Sequence, residues 1–193
     1  MNRPYFSIGR PNWLTAFMAS HDQSLPSLQD RMALAIELSR LNVAYETGGP
    51  FAAVIFNTQT WTPLAAGVNI VEMAGCSILH AEIVAIAVAQ RQIKHFDLGG
   101  FEMPSHELAA STEPCAMCIG AICWSGIKHL VYGACDEDAR RIGFDEGPKE
   151  KQWQKTLEQR GITVTREILR PVARRVLHTY ADNGGLIYNA RQG

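Results

Sequence analysis

Two short motifs, His80-Ala81-Glu82 and Pro114-Cys115-Ala116-Met117-Cys118, constrain this chain most, because together they supply one imidazole and two thiols. Zn²⁺ takes these ligands readily, and three protein ligands leave the fourth tetrahedral position open for water. Cys115 and Cys118 are three residues apart, so they share one face at the first turn of a helix, where the helix dipole favours thiolate. We therefore predict one hydrolytic metal site, with each motif near the start of a helix.

Glu82 is the carboxylate of the first motif that the metal need not bind. A catalytic zinc ion lowers the pKa of its water to roughly 7, and a nearby carboxylate can take that proton and pass it on. We predict that Glu82 is the general acid/base and that His80, Cys115 and Cys118 hold one Zn²⁺ per subunit. A closed structural site is the alternative, and a redox Cys-x-x-Cys a weaker one. The possible fourth ligands of a closed site complete no second Cys-x-x-Cys motif: Cys76, Cys123, Cys135, His106 and His129.

Composition sets the broader bounds. The 193 residues are 47% hydrophobic with a net charge of −1, which predicts one domain with a sizeable core and disfavours a long nucleic-acid duplex as partner. No run of 18 apolar residues occurs and segment 1–27 lacks a signal-peptide core, so we expect a soluble cytoplasmic protein with no membrane partner. Five cysteines fit a reducing compartment, and we expect the three outside the motif to be small buried residues.

Hydrophobic periodicity predicts helices that alternate with strands. The predicted helices are about 28–45, from 80 onwards, from 114 onwards and 148–160, and the strands are 51–56, 63–69, 106–111, 128–132 and 162–165. The first two strands should form an antiparallel hairpin, and Pro114 should occupy the first turn of its helix. A helix between the last two strands implies a parallel crossover. We predict an α/β fold, a three-layer α/β/α sandwich around a five-stranded mixed sheet with a parallel fifth strand.

The two motifs resemble the signature of the zinc-dependent nucleobase deaminases, the cytidine deaminase-like superfamily. The resemblance extends over about residues 45–147, and its purine-handling branch, guanine deaminases and tRNA adenosine deaminases, is the most similar. The segments that carry this likeness are Gly49-Pro50-Phe51, Gly67-Val68-Asn69, Thr112-Glu113-Pro114-Cys115 and Val131-Tyr132-Gly133-Ala134. The superfamily's free-cytidine deaminases have an antiparallel fifth strand, and the purine and tRNA branch has a parallel one. The predicted crossover therefore favours the purine and tRNA branch.

The resemblance also implies which residues contact the substrate. The family uses the Asn that matches Asn69 to hydrogen-bond the base, although an Asn at a strand end is often a turn residue. Phe51 can stack on a flat heterocycle, although an aromatic at this position is more often core. Ala81, between the metal ligand and the acid, completes the expected contacts near the metal.

The segment from Arg141 to Gly147 resembles guanine deaminases rather than tRNA deaminases. A carboxylate there can accept hydrogen bonds from the ring N–H and amino group of guanine, so Asp145 and Glu146 are the candidates, against exposed loop acids as the alternative. We favour Glu146, whose side chain is longer, and assign it to the catalytic set. Tyr188 is expected to close over the purine, as C-terminal segments of guanine deaminases do.

We therefore expect zinc-dependent hydrolytic deamination of guanine to xanthine and ammonia. The alternatives are a tRNA-specific adenosine deaminase and a zinc-containing binding protein without catalysis. We expect one domain, 1–193, with an N-terminal extension over 1–26 and a C-terminal segment over 166–193. The resemblance implies a homodimer in which this segment can be exchanged between subunits. Its five arginines and two acids fit a solvated helix face better than RNA contact.

Overall fold

The computed structural model describes residues 8–189, which form eight helices and five strands. The helices are α1 (Asn12–Ala19), α2 (Leu28–Ala44), α3 (Val71–Ala74), α4 (Ala81–Ile93), α5 (Ala116–Ser125), α6 (Asp136–Arg141), α7 (Trp153–Gln159) and α8 (Arg170–Asp182). The strands are β1 (Ala52–Asn57), β2 (Pro63–Val68), β3 (His106–Thr112), β4 (His129–Ala134) and β5 (Thr163–Thr165). Within this part of the chain, none of the helices has the length and apolar character needed to span a membrane.

The five strands form one sheet in the order β2-β1-β3-β4-β5. β1 pairs antiparallel with both β2 and β3, whereas β3, β4 and β5 run parallel to one another. The predicted hairpin is confirmed, with Ala52 opposite Val68. The parallel fifth strand is confirmed as well, with Leu130 of β4 opposite Val164. The mixed sheet is therefore the one that the sequence predicts.

Helices cover both faces of this sheet. In β1, Val54 and Phe56 pack with the buried residues of α2 and α8, while Ala53 and Ile55 join a second cluster with α4, α5 and α7. A strand with two buried faces is apolar without interruption, which is why 51–56 lacks the alternation of a half-exposed strand. The three-layer α/β/α sandwich is confirmed.

Two predicted helix positions need correction. α7 covers only Trp153–Gln159 of the predicted 148–160, because residues 143–152 form a loop along the metal-bearing edge of the sheet. Pro114 is not a first-turn residue, since α5 begins at Ala116 and Cys115 is its N-cap with extended backbone, φ −67° and ψ 170°. The first cysteine therefore precedes the helix and the second follows within its first turn.

Several elements and environments were not foreseen. α1 falls in the predicted N-terminal extension, yet Leu14 is fully buried in the core beneath α2. α3 and α6 are short helices in segments that periodicity did not assign. All five cysteines are free thiols, and the three outside the motif, Cys76, Cys123 and Cys135, are half-buried rather than buried as expected. A thiol is small enough for a partly exposed position at an element end.

α4 approaches β2 most closely at Gly67. A Cβ atom at this position would overlap the carbonyl oxygen of Ala81 and the backbone nitrogen of Ala85. Only glycine allows backbone to meet backbone at this distance. The start of α4, which carries the first motif, therefore lies directly against the sheet.

Candidate active site

The two motifs meet at the N-terminal ends of α4 and α5. His80 is the N-cap of α4 and Cys115 is the N-cap of α5, while Cys118 is the third residue of α5. The donor atoms of His80, Cys115 and Cys118 all lie within 4.8 Å of one another. Sγ of Cys115 lies 3.4 Å from Nδ1 of His80. The predicted ligand set is therefore brought together by the fold.

This geometry and chemistry fit a zinc ion. Zn–N bonds of about 2.0 Å and Zn–S bonds of about 2.3 Å in a tetrahedron separate neighbouring ligand atoms by roughly 3.5–3.8 Å. A hydrogen bond from Cys118, reinforced by His80, lowers the pKa of the Cys115 thiol to about 4. The same hydrogen bond and burial raise the pKa of Cys118 above its usual value. The surroundings of Cys115 therefore favour the thiolate form that a zinc ligand requires.

Glu82 lies beside the three ligands, as the second residue of α4. Its side chain is buried, and burial raises the pKa of its carboxyl group. It lines the same cavity as His80 but is not a member of the ligand cluster. This is the position required of an acid/base that works next to a metal without binding it.

A cavity of about 200 Å³ is lined by His80 of this cluster. It brings together the predicted residues His80, Glu82, Phe51, Asn69, Asp145, Glu146 and Tyr188, and it is also lined by Ala52, Val71, Ser77, Ser111, Thr112, Glu113, Phe144, Gly147 and Asn189. Ala81 is not part of this lining. Its side chain packs instead in the core between α4 and the sheet.

Asn69 is buried at the end of β2, and its Oδ1 accepts a hydrogen bond of 3.2 Å from the amide of Val71. Its backbone carbonyl accepts a hydrogen bond of 2.8 Å from Nδ2 of Asn42, which donates at the same distance to the carbonyl of Gly49. Asn42 therefore ties together the two segments that flank the cavity. Sequence reasoning missed this residue, because a single Asn within a helical pattern carries no signal of its partners.

The two candidate acids of the 143–147 loop differ in environment. Oδ1 of Asp145 accepts a hydrogen bond of 2.9 Å from the amide of Gly147 and lies 3.7 Å from Nη1 of Arg140. Glu146 has a side chain that is only 7% exposed, and burial raises its pKa to about 8. The carbonyl of Glu146 accepts a hydrogen bond of 3.0 Å from the amide of Ala116, which fixes the loop to the start of α5.

Aromatic rings close the cavity. Phe144 makes edge contacts with Phe51 at 4.9 Å and with Tyr188 at 5.1 Å between ring centroids. Asn189 holds the C-terminal segment to the 143–147 loop, since its Oδ1 accepts from the amide of Asp145 and its Nδ2 donates to the carbonyl of Gly143, both at 2.8 Å. Tyr188 of this chain therefore reaches this chain's own cavity. Its buried hydroxyl has no hydrogen-bond partner among residues 8–189.

The sheet order, the His-Cys-Cys cluster at two helix starts and the adjacent glutamate define a zinc-dependent deaminase. Residues 26–134 match the cytidine and deoxycytidylate deaminase zinc-binding region. The chain belongs to this family.

Similar proteins include guanine deaminases and tRNA-specific adenosine deaminases. The chain is 36% identical over 128 residues to guanine deaminase of Bacillus subtilis, covering 66% of this chain and 78% of that protein. It is 29% identical over 160 residues to the tRNA-specific adenosine deaminase of Buchnera aphidicola, covering 82% and 98%. The solved structure of guanine deaminase from Nitrosomonas europaea superposes with a TM-score of 0.89 at 40% identity, covering 94% of this chain and 99% of that one.

Proposed function

We propose that this protein is a guanine deaminase that hydrolyses guanine to xanthine and ammonia. The observation that carries the proposal is a buried acid, Glu146, which lines the same small cavity as the metal ligand His80 and the acid Glu82. Guanine presents N1–H and its amino group as donors, which a carboxyl oxygen of Glu146 can accept, whereas the matching ring nitrogen of adenine has no hydrogen to donate. The likeness to the N. europaea enzyme supports the same assignment.

The metal ligands and Glu82 have different roles in the reaction. When bound by His80, Cys115 and Cys118, zinc supplies a Lewis acid that activates water at neutral pH. Glu82 takes a proton from the attacking water and delivers protons to the ring nitrogen and to the departing amine. The C2–O bond forms as the ring nitrogen is protonated, and the C2–N bond to the protonated amino group then breaks, so guanine and water become xanthine and ammonia.

The other predicted contacts position the base. Asn69 offers its side-chain amide to the purine, and Phe51 and Tyr188 close on its faces and edges. Ala81 is not assigned a contact with the base, because it does not line the cavity and its side chain is in the core. Asp145 supports the loop through Arg140 and Gly147, and Glu146 accepts from the guanine edge.

Glu146 also serves as a second proton-transfer group. Burial and the nearby charges of Cys115 and Glu82 raise its pKa, while the ammonium group of Lys149 opposes this rise. A carboxyl group that titrates near neutral pH can both accept and release a proton during turnover.

Ammonia release in parallel from guanine, adenine, cytosine, cytidine and a tRNA anticodon stem-loop tests the proposal. We expect turnover of guanine with little dependence on salt. A tRNA-specific adenosine deaminase, the second candidate supported by the Buchnera relative, would edit the stem-loop with a steep salt dependence. Stem-loop editing without guanine turnover would overturn the proposal. Ammonia release from none of the five would favour a non-catalytic zinc protein.

Replacing Glu82 by Gln separates chemistry from metal binding. We expect the Glu82→Gln variant to keep its zinc and to lose turnover by a factor of about 10² to 10⁴, because it removes the general acid/base. Zinc content and kcat for guanine measure the two effects. Glu72→Gln, at an exposed acid of α3, is the matched control. A Glu82→Gln variant with a near-normal rate would contradict the assigned role.

We further propose a cytoplasmic homodimer in which each chain forms one domain. The free thiols and the thiolate zinc site fit a reducing compartment, and α1 and α8 pack on the same sheet as the central residues. The exposed face of α5 carries Trp124, 84% exposed, and Met117, and is a suitable subunit contact. Sedimentation of the wild type and of Trp124→Glu tests the dimer.

Exchange of the C-terminal segment is tested by mixing two variants of reduced activity, Glu82→Gln and Tyr188→Ala, after joint refolding. If the segment crosses between subunits, mixed dimers contain one intact site closed by an intact partner segment and regain activity. If each segment closes its own site, mixing restores nothing.

A further inference from the structure

Lys149 is a buried cation that the sequence analysis did not single out. Its side chain is only 8% exposed, and it faces three carboxylates. Nζ lies 3.0 Å from Oε1 of Glu113, 2.6 Å from Oδ1 of Asp136 and 3.8 Å from Oε2 of Glu146. Burying an ammonium group is costly unless paired, so this arrangement has to be maintained by its partners.

The three partners come from different parts of the site. Glu113 immediately precedes the Pro-Cys-x-x-Cys motif, and its Oε2 accepts a hydrogen bond of 3.3 Å from the amide of Asp136 at the start of α6. Glu146 belongs to the 143–147 loop that closes the cavity. The ammonium group of Lys149 therefore contacts three parts of the site: the turn before the metal ligands, the start of α6 and the 143–147 loop.

Glu113 and Asp136 already satisfy the Lys149 ammonium group with two short contacts. The longer contact to Glu146 is therefore not needed to neutralise Lys149. Its effect is on Glu146 instead, because the attraction acts on Oε2 of a carboxyl group whose residue lines the cavity.

We propose that Lys149 is a positioning residue for deamination, which holds the carboxyl group of Glu146 in the orientation that meets the purine edge. This inference rests on the proposed guanine deaminase function. Lys149 does not touch the substrate, since it is not among the residues that line the cavity. It acts through Glu146, and its ion pairs with Glu113 and Asp136 fix the position of the ammonium group beside the Glu146 carboxyl group.

The charges around Glu146 agree with this role. Cys115, Glu82 and Asp136 raise the pKa of Glu146 in addition to burial, and Lys149 is the group that lowers it. Lys149 itself remains charged, because its carboxylate partners outweigh the effect of burial and raise its pKa. Arg140, the other cation nearby, is engaged by Asp136 at 2.5 Å.

A double-mutant cycle tests the inference on the zinc-loaded protein. The variants are Lys149→Met, Glu146→Gln and the double variant, with Lys151→Met as control for an exposed lysine of the same segment. Rates are measured in single turnovers with enzyme in excess, so that slow variants remain measurable, together with KM, zinc content and Tm. If Lys149→Met does not fold, the cycle is repeated with Lys149→Gln, which can still donate a hydrogen bond to Glu113.

We expect Lys149→Met to lower kcat for guanine by about 10- to 100-fold with zinc retained, as for the loss of a group that orients an acid/base. In the Glu146→Gln background the same change should cost less than about threefold, because contacting residues that act as a unit are not additive. Lys151→Met should leave the rate unchanged.

Equal losses in both backgrounds would show that Lys149 acts on the fold and not through Glu146, and would overturn the inference. That result differs from failure of the proposed function, in which the wild type releases no ammonia from guanine and the inference falls with it. A loss of Tm without a change in kcat would also overturn it.

Discussion

At the scale of single residues, the metal site depends on two residues that end loops rather than on residues inside helices. His80 and Cys115 are N-caps whose side chains make no capping hydrogen bond to their own helix. Both side chains are therefore free to serve the metal, and the first N–H groups of each helix favour the nearby negative charge. Cys118 then completes the set from the first turn of α5.

Cys118→Ser should lose zinc and activity together, because a hydroxyl is a much poorer ligand than a thiolate. Cys123→Ser, in the same helix but outside the ligand cluster, should keep both. Metal analysis of the two purified variants, alongside guanine turnover, gives the comparison. Wild-type zinc content in Cys118→Ser would mean that the ligands are assigned incorrectly.

Asn42→Leu should destabilise the protein and weaken substrate binding. It removes the amide that donates to the carbonyls of Gly49 and Asn69, and unpaired buried carbonyls cost about 1–3 kcal/mol each. We expect a raised KM for guanine, because Asn69 loses its support, and a lower urea midpoint. Asn183→Leu, at an exposed position after α8, is the control. An unchanged KM would show that Asn42 does not support the substrate-binding site.

The sequence predicted the metal ligands and Glu82 because these residue types at this spacing are typical of a catalytic zinc site. It predicted that Asp145 and Glu146 belong to the site but separated them only by side-chain length. Their different burial depends on a turn at Gly147 and on the docking of Asn189. Lys149 and Asn42 were not predicted, because each acts on residues distant in the chain and neither type has a characteristic spacing.

At the scale of elements, α6 and α8 are joined by an ion pair between Asp138 and Arg170. Asp138, fully buried, accepts from Nε of Arg170 at 2.8 Å and from the amide of Cys135 at 3.0 Å. Burial alone would raise the pKa of Asp138, but these hydrogen bonds lower it below its usual value. The charged form therefore stabilises the fold.

Asp138→Asn should lower the free energy of unfolding by about 1–3 kcal/mol near pH 7. The folded pKa is below the unfolded one, so the stabilising effect is complete above the unfolded value of about 3.9 and is lost as the pH falls through the folded value. The difference between wild type and variant should therefore shrink below about pH 4. Urea unfolding at pH 7 and pH 3 measures it, with Asp182→Asn as control. A difference that stays constant with pH would contradict the assigned charge.

Element positions followed from the sequence where periodicity and composition agreed. α2 begins at Leu28, as predicted, and Oγ of the preceding Ser27 caps it by accepting a hydrogen bond of 3.3 Å from the amide of Asp30. α7 came out shorter than predicted, because the polar contacts of Lys149 hold the preceding residues in a loop. Short helices such as α3 and α6 span too few turns to show a period.

At the scale of the whole molecule, the C-terminal part of the chain serves two purposes. α8 contributes Ala173, Val176, Leu177 and Tyr180 to the core, whereas Tyr188 and Asn189 close the cavity. Folding and closure therefore depend on adjacent but separate segments.

Ending the chain after Asn183 should leave a folded protein that binds zinc but turns guanine over about tenfold or more slowly, since the closing residues are lost. Ending it after Asn189 should retain most activity, because Tyr188 and Asn189 remain. Ending it after Arg170 should abolish cooperative unfolding, because buried residues of α8 are removed. Thermal unfolding and guanine kinetics of the three truncated chains test whether folding and cavity closure depend on separate segments. Full activity of the shortest chain would disprove this.

The contact between Gly67 and α4 makes the metal site sensitive to a substitution at a residue that is not itself a ligand. A methyl group added there would have to displace α4, and α4 begins at the residue after His80. The cysteines are carried by another helix and would stay in place, so the imidazole would leave its partners by roughly the width of the added atom. A Gly67→Ala substitution would thus act as a metal-site mutation at a position with no polar atom in its side chain, and an inventory of ligands alone would not reveal it.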